Sequence, residues 1–366
     1  MRAIAFFRRH AFHFGALLAL TVVAGTARAA AATDAGTWHF LVAGDSRNCG
    51  DIVMPAIAAE AHAHQAAFYW HLGDLRAIYG FDEDYAALHP SPSIAAYLAG
   101  AWPDFQQSQI EPFGDTPFIV GIGNHETIAP KTRDEFLLSF ADWLDQPRLR
   151  EQRLRDDPHD HHLRAYFHWI ERGIDFIYLD NATEEQFDRG QLEWLGRVLA
   201  RARANPEVHA LVVGMHLALP DSLARGHSMS DLPQWEASGR AVYAALLDLN
   251  RVKPVQVLAS HSHFVMEGIF NTAYWREHGG VLPGWIVGTA GAFRYPLPAE
   301  ASEATFARTH VYGYLLGTVA PAAGGLAVRF EFHEVTEAMV PEATVKRFGA
   351  DLVARCFSGN AADAAH

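Results

Sequence analysis

Apolar and polar positions along this chain follow two periods. Short apolar runs, rich in β-branched and aromatic residues and bounded by Gly, Pro or Asp, read as buried strands. They are "WHFLVAG", "AFYWHLG", "PFIVGIG", "AYFHWI", "IDFIYLD", "VHALVVG", "VQVLAS", "FVMEGIF", "GWIVGTA", "YGYLLGTV" and "LAVRFEF". Helical patterns fall between several of them. "DIVMPAIAAEAHAHQ" follows the first run, "TRDEFLLSFADWL" the third and "RGQLEWLGRVLARARA" the fifth, while "ASGRAVYAALLDLN" precedes "VQVLAS". This alternation predicts an α/β fold over the first two-thirds. The last third is strand-rich, so a mixed or antiparallel sheet is expected to complete the core.

The first 29 residues stand apart. Arg2, Arg8 and Arg9 precede an apolar stretch from Ala11 to Gly25, and Ala27-Arg28-Ala29 follows as an A-x-A cleavage site. This is the composition of a secretory signal peptide. The apolar stretch is shorter than the ~20 residues that a membrane span needs. Export to the periplasm or the medium is the expectation, with no stable membrane anchor after cleavage. Residues 30–366 show no repeat, linker or composition break and read as a single domain. Half the residues are hydrophobic, which argues against global disorder, and the formal charge of −13 argues against a nucleic-acid-binding surface. The two cysteines, Cys49 and Cys356, exclude a disulfide scaffold and a thiolate zinc module. Whether they pair with each other is left open by the sequence.

Five apolar runs end in related chemistry. "FLVAGDSRN" delivers Asp45, "FYWHLGDL" Asp74, "FIVGIGNHE" Asn124 and His125, "ALVVGMHLALP" His216, and "VQVLASHSHF" His261 and His263. Polar side chains at the carboxyl ends of strands usually mark a ligand site. Two carboxylates, one amide oxygen and three imidazoles without a thiolate suit borderline or hard divalent ions such as Mn, Zn or Fe. The inventory is large enough for two ions bridged by a carboxylate. His261 and His263 flank Ser262, so in extended backbone they point to opposite sides and each is expected to serve a different ion.

The order Asp45, Gly73-Asp74, Gly123-Asn124-His125-Glu126, His216, His261-Ser262-His263 resembles the calcineurin-like metallophosphoesterases, which include the purple acid phosphatases. The resemblance runs from about Trp38 to about Val335. It implies a four-layer sandwich of two mixed β-sheets flanked by helices, with two divalent metal ions at the carboxyl ends of the strands. By position, Asp45 and His263 would bind the first ion, Asp74 would bridge, and Asn124, His216 and His261 would bind the second. His125 would meet the substrate phosphate and assist the leaving group, with Glu126 behind it orienting an imidazole. The implied activity is hydrolysis of a small phosphate ester, a phosphomonoester in first place, by in-line attack of a metal-bound hydroxide. A phosphodiesterase on nucleotide or lipid head-group esters and an inactive binding scaffold are the rivals.

Three departures from the family pattern stand out. The usual Asp-x-His is Asp45-Ser46-Arg47 here, and Arg47 has no lone pair to offer a metal. We therefore expect Arg47 to bind substrate phosphate; the alternative is that it turns outward to a rim carboxylate. The metal-binding Tyr of purple acid phosphatases is replaced by Ala77, with Tyr79 out of place, which disfavours an iron-tyrosinate centre. The Gly before His-x-His is Ser260, a change expected to be tolerated. Elsewhere, "DDPHDHHLRAYFHW" reads as a solvated loop, Trp235 and Trp285 as core, and His227 as a loop residue that the turn after His216 could bring near the site.

Overall fold

Strand β5 (Ile174–Leu179) shows how the sheets are built. Its side chains alternate, so Phe176 and Tyr178 join one apolar cluster while Ile177 and Leu179 join another. β6 (Ala210–Met215) and β7 (Val255–Ala259) divide their residues between the same two clusters. A sheet that is apolar on both faces must be covered on both. In this computed structural model, which describes residues 36–182, 187–224, 227–230 and 232–358, one face meets a second sheet and the other meets helices. The predicted leader, residues 1–29, lies outside the described residues.

The first sheet is built from β1 (Trp38–Ala43), β2 (Tyr69–His71), β3 (Phe118–Val120), β11 (Tyr312–Ala322) and β12 (Gly325–Val335), in the order β12-β11-β1-β2-β3. β1, β2 and β3 run parallel; β11 and β12 add antiparallel. The second sheet is built from β4 (Phe167–Glu171), β5, β6, β7, β8 (Val265–Glu267), β9 (Gly284–Val287) and β10 (Phe306–Arg308), in the order β10-β8-β9-β7-β6-β5-β4. Its centre, β5-β6-β7-β9, is parallel and both margins are antiparallel.

Aromatic rings fill the space between the sheets. Phe40 of β1 meets Phe176 of β5 edge-on at 5.0 Å, and Trp70 of β2 meets Trp169 of β4 at 5.3 Å. The helix Gly50–Ala63 packs on the outer side of the first sheet, and the helices Arg189–Ala204 and Pro233–Asn250 cover the second. The arrangement is the expected four-layer α/β sandwich. All eleven predicted strands are present, and β10 is an addition. Cys49 and Cys356 form a disulfide, with Cα atoms 6.0 Å apart, joining the start of the helix Gly50–Ala63 to the C-terminal helix Ala350–Ser358.

Candidate metal centre

The candidate ligands sit on turns at the carboxyl ends of β1, β2, β3, β6 and β7, and backbone hydrogen bonds lock these turns together. Asp45 N–H donates to Gly73 O at 2.9 Å, Ser46 N–H to Asp74 O at 3.0 Å, and Ser260 N–H to His216 O at 2.9 Å. The Gly73-Asp74 and Gly123-Asn124 turns touch. A Cβ on Gly73, whose φ is +97°, would lie 2.4 Å from Gly123 N, and one on Gly123 would lie 2.3 Å from Asp74 N. Both glycines are therefore required by the approach of backbone to backbone. Glu126 bridges the same two turns. Its carboxylate accepts from the N–H groups of Gly123 at 2.7 Å, Asp74 at 2.9 Å and Leu75 at 2.9 Å. The expectation that Glu126 orients an imidazole is thus corrected: both oxygens are taken by backbone donors. Burial and the neighbouring Asp74 charge push its pKa up to about 8, against the pull of those donors.

Four acceptor atoms converge in the first of two candidate groups. His216 Nε2 lies 3.1 Å from Asp74 Oδ1, 2.9 Å from Asn124 Oδ1 and 3.1 Å from His261 Nδ1. The His216 Nδ1 faces the Leu72 carbonyl at 3.0 Å and Ser260 Oγ at 3.0 Å. A carbonyl only accepts, so Nδ1 carries the proton and Nε2 turns its lone pair inward. Three acceptor atoms at about 3 Å from the His216 lone pair are what bonds of ~2.0–2.2 Å to one divalent ion produce. The residues fit a metal. Without one, a proton stands in: burial opposes the charge on His216, but Asp74 and Asp45 push its pKa up to about 9.

The other group consists of Asp45, Asp74 and His263. Asp45 Oδ1 and Asp74 Oδ2 are buried and find no hydrogen-bond partner among the described residues, and Asp45 Oδ1 lies 3.3 Å from His263 Nε2. His263 Nδ1–H donates to Phe293 O, which leaves only Nε2 as a ligand atom. Burial and the adjacent Arg47 hold His263 well below the ordinary histidine range, so the ring is neutral. Its lone pair is already engaged, because Arg47 Nη2–H donates to it at 3.0 Å. The Arg47 Nε lies 3.8 Å from Asp74 Oδ2, Nη1 donates to Tyr79 Oη at 2.9 Å and Nη2 approaches Tyr295 Oη at 3.4 Å. With the guanidinium in place, this group does not fit an ion. Arg47 is 4% exposed and points into the centre, which removes the alternative of an outward turn.

His125 lies beside both groups. Its Nδ1–H donates to Ala77 O at 2.6 Å, and Nε2 is 3.6 Å from Asp74 Oδ2. The position that carries a tyrosine in the purple acid phosphatase pattern thus contributes its backbone carbonyl. Burial lowers the pKa of His125 to about 4 even with Asp74 nearby. Asp82 steadies this turn, accepting from Ala77 N–H at 3.1 Å and Asn48 N–H at 2.7 Å.

The centre opens into a depression of about 510 Å³ lined by residues that include Arg47, Asn124, His125, His227, Trp235 and Tyr295. All six expected ligands, His125 and Arg47 are brought together in the centre, and of these Arg47, Asn124, His125 and His261 line the depression. His227 does reach the site, its ring 5.4 Å from that of His261, and Trp235 faces the depression from an otherwise buried position. Tyr295 was not legible in the sequence. It stacks on His263 at 4.0 Å, but it lies in a loop with no strand-tip signature. The histidine-rich segment pairs among other residues and is not all solvated loop: it starts at the end of the helix Pro147–Asp156 and ends in β4, where His168 and Trp169 are buried, while Asp156 pairs with His168 and Arg201, and Asp160 with Arg164.

No protein-family model matches the chain, and no curated protein matches it. Among solved structures it is similar to purple acid phosphatase PPD1 from yellow lupin (Lupinus luteus) seeds, with a TM-score of 0.54 and 17% identity over 82% of this chain. The match covers 53% of that protein, so the chain spans about half its length. A dimetal phosphatase from Danio rerio (TM-score 0.48, 11% identity, 82% of this chain and 98% of that one) superposes more weakly. So does a putative 5'-nucleotidase from Staphylococcus aureus (TM-score 0.46, 14% identity, 87% and 58%). The weaker two add nothing to the first. The fold is thus similar to that of this purple acid phosphatase, with the two mixed sheets flanked by helices that the motif order implied.

Proposed function

We propose that this protein is an exported, metal-dependent phosphoesterase that hydrolyses phosphomonoesters. The observation that carries the reading is the convergence of Asp74 Oδ1, Asn124 Oδ1, His216 Nε2 and His261 Nδ1, four acceptors facing one point beside an open depression. These residues would hold a divalent ion, with Mn, Zn and Fe suited to the donor set. When bound, such an ion would supply positive charge for a phosphoryl group and would make water acidic enough to lose a proton near neutral pH. The protein's own groups do the rest. The Leu72 carbonyl fixes the tautomer of His216. The Ala77 carbonyl fixes that of His125, so the Nε2 of His125 is the atom that can take a proton when a phosphate dianion approaches, and return it to a leaving oxygen. Arg47, lining the depression, offers a fixed cation to the same phosphate.

Export is supported by the leader composition of residues 1–29 and by the Cys49–Cys356 disulfide, a bond that persists in oxidising compartments. Among the described residues no helix is long and apolar enough to cross a membrane. The test is a panel of aryl phosphates and bis-aryl phosphates with Mn- or Zn-loaded protein, with Asp74→Asn as the control. Turnover of the monoester should dominate, and Asp74→Asn should lower it by about 10²-fold or more together with metal content. Faster turnover of the diester would move the assignment to a phosphodiesterase. No turnover of either, with metal bound, would leave a binding scaffold.

A further inference from the structure

The Arg47 guanidinium stands where a metal ion bonded to His263 would have to stand. The only ligand atom that His263 has free, Nε2, takes an N–H from Arg47 at 3.0 Å. A metal ion bonded to that nitrogen at ~2.0–2.1 Å would need the space and the lone pair that the guanidinium uses. Arg47 cannot lose its charge to make room, because arginine stays protonated in proteins. Nor is it loosely held. It is 4% exposed, its Nη1 donates to Tyr79 Oη at 2.9 Å, and Tyr295, which stacks on His263, approaches its Nη2. The backbone that carries it is pinned on both sides. Ser46 N–H donates to Asp74 O, Asn48 N–H to Asp82 at 2.7 Å and Cys49 N–H to Gly291 O at 3.1 Å, and Cys49 is tied by the disulfide.

Charge points the same way. Asp45 and Asp74 bring two negative charges to the centre. Arg47 and one divalent ion exceed them by a single positive charge, which suits a phosphate substrate. A second divalent ion beside Arg47 would raise the excess to three in a buried space, where like charges interact strongly.

Resting on the metal-centre reading above, we propose that the protein takes a single divalent ion, at Asp74, Asn124, His216 and His261. The Arg47 guanidinium is then a built-in second cation, holding Asp45, Asp74 and His263 where another ion would stand. The substrate phosphate lies between the ion and Arg47, which explains why Arg47 both contacts the ligand set and lines the depression.

The experiment titrates full-length protein with Mn(II) and reads bound ions per chain by elemental analysis, and spin coupling by electron paramagnetic resonance. The wild type should stop at one ion per chain with an uncoupled spectrum. Arg47→His, which exchanges the cation for an imidazole, should take two ions and show an exchange-coupled spectrum. Arg47→Met, which removes the charge and keeps the bulk, should admit a second ion at lower affinity. Two ions and a coupled spectrum in the wild type would overturn the proposal, and that measurement stands even where a variant fails to fold. One ion in the wild type and in both folded variants would also overturn it, since Arg47 would not be what excludes the second. Proteins that bind no Mn(II) at all would overturn the metal-centre reading beneath it.

Discussion

Three of the six candidate ligands sit in strained backbone. Asp45 and Asp74 have φ of +60° and His261 of +64°, left-handed values that are uncommon for any residue but Gly, though Asn, Asp and His adopt them more often than other L-residues do. Such strain costs of order 1 kcal/mol or more at each position and persists where the surroundings over-determine it. Here the over-determination is visible: the Asp45 and Asp74 turns are cross-bonded, and His261 N–H donates to Asp45 Oδ2 at 2.7 Å. His125 shares in it, because Ile78, at φ +64°, follows the carbonyl that fixes its ring. Since His125 is held by Ala77 and contributes no atom to either ligand group, His125→Ala should leave metal content unchanged. The kcat should fall by about 10²–10⁴ on esters with poor leaving groups and by less on activated aryl esters. Equal losses on both substrates would show that His125 does not protonate the leaving group.

Among the elements, the site depends on turns from separate strands lying against one another. Glu126 is the staple. It closes the backbone of the Gly73–Leu75 turn onto that of the Gly123–Glu126 turn through three N–H groups. Glu126→Ala would leave three buried donors without partners, so stability should fall by about 2–4 kcal/mol in denaturant unfolding. Metal affinity should weaken by about 10–100-fold, the usual effect of removing a group that positions ligands. Intact metal affinity in a folded Glu126→Ala protein would mean that the turns keep their places unaided. The strands were legible because each is a short apolar run closed by Gly, Pro or Asp. The exception is β10, Phe306–Arg308, three partly exposed residues that pair only along β8 and carry no period to read. The six candidate ligands were legible for a related reason: Asp45, Asp74, Asn124 and His216 each follow directly on an apolar run, and His261 and His263 follow one past Ser260. What the sequence hid is held by long-range contact. The pairing of Arg47 with His263 spans 216 residues and its approach to Tyr295 spans 248, so neither partner of Arg47 could be read from its neighbours in the chain. The Cys49–Cys356 pairing, 307 residues apart, stayed open for the same reason.

At the scale of the whole molecule, the second sheet must keep its edge strand. β4 pairs only with β5 inside the sheet, and its His168 ties it to the layers around it. His168 Nδ1 lies 2.8 Å from Asp175 on β5, and Nε2 lies 2.6 Å from Asp156 at the end of the helix Pro147–Asp156. Asp156 also pairs with Arg201 of the helix Arg189–Ala204 at 3.0 Å, and the ring of Trp194 lies 5.9 Å from that of His168. Carboxylates on both ring nitrogens require both to be protonated. Burial opposes that charge, but Asp175 and Asp156 outweigh it and push the pKa up to about 9, from an ordinary value of 6.5. A group whose pKa is higher in the folded than in the unfolded chain stabilises fully below the unfolded value and loses that contribution as pH rises through the folded one. The folded state should therefore be most favoured by this cluster below pH 6.5 and should lose about 2–3 kcal/mol of support between there and pH 9 to 10. His168→Gln keeps a donor but cannot titrate, so its stability should change less over that interval than the wild type's. Parallel pH profiles for the two proteins in denaturant unfolding, or a His168 ring resonance that titrates near 6.5, would show that the charge is not what binds the edge strand to the helices beside it.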